Sequence, residues 1–212
     1  MSKRLAKKVL VIGWDAADWK VINPLLEQGK LPAFKKLIEN GCMGNIATLD
    51  PPLSPVLWTS IGTGKTADKH GILNFVEPDP DTADVRPVSV TSRKVKAIWN
   101  ILTQQGMKTH LVGWWPSHPA EPINGVCVSN FFQKQPKGDY KEWILPPGAV
   151  HPPELANELK EWRVPIQEIT AQMLLPFVPN AAKVDQEKDK SLHNIASGIA
   201  EATSTHAAAT WI

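Results

Sequence analysis

Apolar residues along this chain follow two rhythms. Lys8 to Gly13 (KVLVIG) is a continuous apolar run of the kind that forms a central parallel strand covered on both faces, and Asp15 stands just past its C-terminal end. Residues 18–27 and 32–40 then carry apolar side chains at helical spacing: Trp19, Ile22, Leu25 and Leu26 in the first, Phe34, Leu37 and Ile38 in the second. Pro32 suits a helix start, and Gly41 suits a C-cap. Met43 to Leu49 reads as a second strand. After the turn Asp50-Pro51-Pro52-Leu53, the pair Ser54-Pro55 places a side-chain oxygen at an N-cap and proline at N1, opening a helix through about Gly62.

The order then repeats. Ser92 can cap a helix from Lys94 to Gln105, with Val95, Ile98, Trp99 and Leu102 on one stripe and Gly106 as its stop, and Lys108 to Trp115 (KTHLVGWW) reads as a strand. Val126 to Phe131 adds a further strand segment. The stretch up to Pro179 is rich in proline and reads as loop or cap structure, with one short helix from Pro153 to Trp162. Asp185 to Ile212 is a final helix whose apolar face carries Leu192, Ile195, Ile199, Ala202 and His206. Alternating strands and helices with short Gly or Pro punctuation predict an α/β fold with a mostly parallel sheet. The organisation expected is an α/β core over residues 1–130, a proline-rich loop or cap segment over 131–184, and the C-terminal helix over 185–212.

Composition and charge narrow the classes. Of 212 residues, 42% are hydrophobic and 21% charged, a globular profile rather than a disordered one. A net charge of +2 argues against a nucleic-acid binder, whose affinity rests on clustered Lys and Arg. No apolar run approaches the length of a membrane span and no signal-peptide pattern follows the first charges, so the expected setting is cytoplasmic with no membrane partner. Cys42 and Cys127 match neither a zinc nor a CxxC spacing and read as two buried thiols in a reduced compartment.

Two motifs invite a chemical reading. Gly62-Thr63-Gly64-Lys65-Thr66 resembles the end of a P-loop, but that motif needs glycine where Thr59 stands and must join a strand to a helix, so a helix-ending turn is the better account. Asp15 and Ser54 each follow a predicted strand, where ligands of open α/β sheets bind. A carboxylate there can hold a hard cation, and a serine at a helix N-terminus lies where first-turn N–H groups favour an alkoxide or a phosphate. Each is equally able to serve as the N-cap of its own helix, so the residues alone leave both accounts open.

Taken together, Trp14-Asp15-Ala16, Pro52-Leu53-Ser54-Pro55-Val56-Leu57-Trp58-Thr59, Thr63-Gly64, Asp68-Lys69-His70-Gly71-Ile72 and Trp114-Trp115-Pro116 resemble, in this order, the alkaline phosphatase superfamily, nearest its type I phosphodiesterase/nucleotide pyrophosphatase branch. The resemblance implies a three-layer α/β sandwich with a mostly parallel central sheet and metal-dependent hydrolysis of phosphate esters or diesters on a small phosphorylated substrate. It makes Asp15 a ligand of one of two divalent metals, zinc or manganese, and Ser54 both the nucleophile and a ligand of that metal, at a position where the branch generally has threonine. Asn74 falls near the asparagine that binds a phosphoryl oxygen, and His70 takes a structural role in its turn.

The family's remaining ligands come from a DxxxH, a DHG-like and a lone His element. Asp189 and His193 have the DxxxH spacing, yet they lie at a charged helix start and read as a solvated i, i+4 pair. His110, His118, His151 and His206 form no such group. The sequence therefore predicts an incomplete family domain, truncated within its last helix, with weak or absent metal binding by this chain and self-association through an exposed C-terminal region. A non-catalytic domain binding a phosphorylated ligand or a protein on the same scaffold is the alternative reading.

Overall fold

A computed structural model describes residues 6–135 and 143–212. The chain divides into two compact units, 1–49 and 50–212. Mixed α/β structure with small sheets is the observed class.

In the first unit, α1 (Trp19–Glu27) begins where the Asp18 carboxylate accepts the Lys20 N–H at 2.8 Å, and α2 (Pro32–Glu39) opens on its proline. Trp14 stacks on Phe34 at 5.5 Å, and Trp19 lies 6.2 Å from the same ring. The two predicted strands need correction: neither Lys8–Gly13 nor Met43–Leu49 joins a ladder among the described residues, and Val9, Leu10, Val11 and Ile12 are 66–83% exposed. An apolar run specifies a preference for extended backbone, but a strand exists only through hydrogen bonds to neighbours, and the described residues of this unit form two helices and no ladder. Cys42 is exposed rather than buried.

The second unit opens with α3 (Ser54–Thr63), then the single turn α4 (Ala67–His70) and the antiparallel ribbon β1 (Val76–Pro78) with β2 (Val85–Pro87). α3 ends on Gly64 at φ 64°, the helix-ending turn expected of the GTGKT segment. α5 (Ile98–Gln104) is shorter than predicted, because Ser89 and Ser92 cap a separate 3₁₀ turn over Val90–Ser92. β3 (Leu111–Val112) pairs parallel with β4 (Cys127–Val128), which pairs antiparallel with β5 (Val150–His151). Pro153 to Trp162 is helical throughout, with α6 (Ala156–Leu159) between 3₁₀ turns. α7 (Ala171–Leu174) precedes the long α8 (Ser191–Trp211). Among the described residues no helix is long and apolar enough to cross a membrane.

The face that α8 buries matches the predicted one at Leu192, Ile195 and Ile199 and departs from it further along. Leu192, Ala196, Ala200, Ser204 and Ala208 are buried, whereas Ala202 and His206 are exposed. Small side chains at every fourth position let the helix approach its neighbours closely: Ser204 Oγ accepts the Val164 N–H at 2.8 Å, and a Cβ on Gly113 would meet Thr205 at 3.1 Å. Its last turn is packed, with Trp211 and Ile212 against the cluster of Val128, Phe132, Val150 and Leu159. Cys127 is fully buried, and that burial pushes its thiol up to about 12.

A buried polar knot fixes α5 to the loop before β4. Glu121 accepts from Arg93 Nη2 at 2.7 Å, Trp99 Nε1 at 2.7 Å and Asn100 Nδ2 at 3.1 Å, with the Arg93 and Glu121 side chains 6% and 18% exposed. Removing one partner of such a pair strands the other charge and costs about 3 kcal/mol or more. Glu121→Ala should therefore lower the unfolding free energy measured by urea titration by that amount, while Arg93→Met combined with Glu121→Leu should lose clearly less than the two single changes added. Equal losses would mean the knot is solvated.

Candidate functional site

Ser54 is the first residue of α3 and Pro55 the second, one position further into the helix than predicted, with Leu53 (φ −90°, ψ 123°) as the N-cap. Pro55, Val56, Thr59 and Gly62 form the buried side of that helix, and Ser54 is half-buried at its N-terminal end. Helix geometry thus sets the Ser54 hydroxyl in the first turn, where the orphan N–H groups and the dipole favour negative charge. Asp15 belongs to the first unit, in a turn between the apolar run and α1. Its neighbour Ala16 has φ 55°, the left-handed region that costs a Cβ-bearing residue about 1–2 kcal/mol and that the surrounding turn must hold in place.

Asn74 lies in the turn before β1. Its Oδ1 accepts the Phe75 N–H at 2.7 Å, so its amide NH₂ is the donor left for another group. The turn Trp114-Trp115-Pro116 at the end of β3 touches both neighbourhoods. Trp114 meets Trp58 edge-on at 5.2 Å and donates from Nε1 to the Trp58 carbonyl at 3.1 Å, while Trp115 lies 5.1 Å from Phe75. Trp58 is one helical turn after Ser54, and Phe75 follows Asn74, so one dipeptide braces the helix of the first and the turn of the second. The tryptophans stand in the sequence as a family mark only, since their bracing contacts join residues far apart along the chain.

His70 is fully buried. Its Nδ1 accepts the Ile72 N–H at 3.1 Å, which leaves Nε2 to carry the hydrogen and donate to Ser60 Oγ at 3.0 Å. Desolvation holds its pKa below the ordinary 6.5. The role is the structural one expected. A second imidazole, His118, stacks on Phe131 at 4.2 Å with Nδ1 3.1 Å from the buried Ser129 hydroxyl, and its burial also lowers its pKa. Asn130 Oδ1 accepts the Ser117 and His118 N–H groups at 2.9 and 3.0 Å, which fixes the loop after the tryptophans.

Asp189 Oδ1 accepts the Ser191 N–H at 2.8 Å ahead of α8, and His193 is exposed, in keeping with a solvated helix start. His110 is exposed just before β3, His151 lies in β5, and His206 is exposed on α8. Among the described residues no three His, Cys, Asp or Glu side chains come together as a metal-holding group. No curated protein and no solved structure matches the chain. The family model described as type I phosphodiesterase / nucleotide pyrophosphatase matches residues 9–197, nearly the whole chain, and a family of phosphodiester and pyrophosphate hydrolases, within the alkaline phosphatase superfamily, is the one to which this chain belongs.

Proposed function

We propose that the chain serves the hydrolysis of small phosphate esters or diesters through a covalent phosphoserine at Ser54. What carries the reading is the seat of Ser54, in the first turn of a buried-sided helix, within a chain of this family. Ser54 Oγ attacks phosphorus and gives up its proton, while the P–O bond to the leaving alcohol breaks and that alcohol takes a proton. Water then attacks the phosphoserine, freeing the phosphate product and restoring the hydroxyl. The α3 N-terminus lowers the cost of the alkoxide and of the charge on phosphorus, and the free donor of Asn74 binds a phosphoryl oxygen.

Asp15 is the residue assigned to a divalent cation, zinc or manganese in the family's manner, and the left-handed Ala16 beside it fits a turn held for a ligand. The donors among the described residues do not make up a metal centre, so the displacement is written on the serine alone. The fold implied is the three-layer sandwich with a mostly parallel sheet, to which the β3–β4 pair would belong.

Acid quenching during turnover of a nucleoside 5′-(p-nitrophenyl) phosphate diester, followed by peptide mapping, tests the reading. The expected adduct is a nucleotidyl group on Ser54, absent from Ser54→Ala. Turnover that persists in Ser54→Ala would overturn it. Saturable binding of the diester without any adduct would favour a non-catalytic phospho-ligand domain instead.

A further inference from the structure

The turn that joins α3 to the Asn74 segment hangs on one side chain. His70 closes α4, its carbonyl accepts the Lys94 N–H at 2.9 Å, and its ring spans from Ser60 on α3 to the Ile72 N–H. Ser60 Oγ in turn donates to the Val56 carbonyl at 2.8 Å, so the imidazole is wired to the first half of α3. Both ring nitrogens are committed, one as donor and one as acceptor. A second ring proton would sit on Nδ1 facing the Ile72 N–H, donor against donor, in a place that water does not reach.

We propose that His70 is an acid-released latch: neutral, it pins the turn after α4 to α3, and protonated, it lets residues 64–75 swing open while the rest of the second unit stays folded. The segment is built for that motion. Gly64 and Gly71, at φ 64° and 81°, bracket a helix of a single turn, and within residues 64–75 only His70 and Ile72 are buried. A Cβ on Gly71 would meet the Lys94 stem at 2.9 Å, so the closed turn is seated tightly and by few groups.

Desolvation of the buried ring opposes the added proton and outweighs the Val56 carbonyl and the Asp68 carboxylate, which favour it. The α3 neighbours, Val56 and Ser60, are uncharged, and Lys94, beside Gly71, is itself a cation. Asp68, on the latch's own turn, is exposed and already engaged by Thr66 Oγ1 at 2.5 Å and Lys69 Nζ at 3.3 Å. The balance leaves the pKa of His70 below its ordinary value. The sign follows: the unfolded or opened ring takes its proton near 6.5 and the closed ring only at lower pH, so closure is fully favoured above 6.5 and weakens as pH falls below it. Asn74 belongs to the released turn, so acid would also withdraw a residue assigned above to the phosphoryl oxygen. That consequence rests on the proposed function, whereas the opening does not.

Residue-resolved NMR of the natural chain tests the latch with two readouts. At pH 7.5 the ring nitrogens of His70 should show the Nε2–H form. Between pH 6.5 and 5, the amide protection factor of Ile72 should fall by about tenfold or more, one pH unit of differential protonation being a factor of ten. The amides of Leu111 and Gly113, bonded across β3 and β4, should keep theirs. In His70→Gln the acid-dependent loss at Ile72 should vanish; should that variant fail to fold, the two measurements on the natural chain still decide. An Nδ1–H tautomer, unchanged protection at Ile72 down to pH 5, or simultaneous loss at Ile72, Leu111 and Gly113 would each overturn the proposal. His110 and His118 lie outside the segment and titrate as separate resonances.

Discussion

Ser54→Ala should lower kcat/KM for a phosphodiester by at least a thousandfold, about 4 kcal/mol of transition-state stabilisation, and leave the thermal midpoint within a few degrees of the natural protein. The asymmetry is the informative part. Ser54 is half-buried at the first position of α3, where alanine is a good helix former, so the change does not weaken the helix itself. Losing the proposed nucleophile, by contrast, would remove the covalent route entirely. Ser54→Thr keeps the hydroxyl and should stay within about tenfold of the natural rate, since a β-branched residue at a helix start costs only tenths of a kcal/mol. Steady-state kinetics of the three proteins on one diester, with zinc or manganese supplied, checks this. Equal losses in the alanine and threonine variants would mean that position 54 matters for shape and not for its oxygen.

Which features could be read from the sequence follows from how local their causes are. α2 opens on Pro32, α3 ends on Gly64 and α5 stops before Gly106 because proline and left-handed glycine act on their own backbone, so a reader of the sequence meets the cause at the place of the effect. The strands are different. Lys8–Gly13 and Lys108–Trp115 have much the same apolar character, yet only Leu111–Val112 of the second becomes a strand, since pairing with Cys127–Val128 depends on residues far along the chain. α8 shows a third case. Ile195 and Ile199 form the bulky stripe, but the buried line continues through Ala196, Ala200, Ser204 and Ala208, where small size rather than hydrophobicity decides the approach. At the candidate site, the Ser-Pro pair placed Ser54 to within one position because caps are local, whereas the bracing of Trp58 and Phe75 by Trp114 and Trp115 joins residues dozens of positions apart and leaves no local trace.

Gly125→Ala should destabilise the second unit by about 4 kcal/mol or more, enough to shift its thermal midpoint by on the order of 10 °C. Gly125 has φ 152°, and a Cβ placed there would stand 2.1 Å from the Thr109 carbonyl oxygen, far inside any real contact. Neither side can step back cheaply. Thr109 N–H is bonded to the Asn124 carbonyl at 3.0 Å, Leu111 N–H to Val126 at 2.9 Å and Gly113 N–H to Val128 at 2.9 Å, so moving Thr109 unzips the β3–β4 pairing from its first bond. The Asn124 side chain also donates to the Gly106 carbonyl at 3.2 Å, and Asn124 N–H reaches Thr103 Oγ1 at 3.1 Å, so the other strand is tied to the end of α5. Backbone strain alone would cost about 1–2 kcal/mol, and Gly106→Ala supplies that control: φ there is 68° and nothing lies within 4 Å of the added carbon. Urea titrations followed by tryptophan fluorescence should rank natural protein, Gly106→Ala and Gly125→Ala in falling stability, with the second gap larger than the first. If Gly125→Ala matched Gly106→Ala, the backbones at Gly125 and Thr109 would not approach so closely, and the parallel pair that holds the Trp114-Trp115 turn in place would have to rest on other contacts.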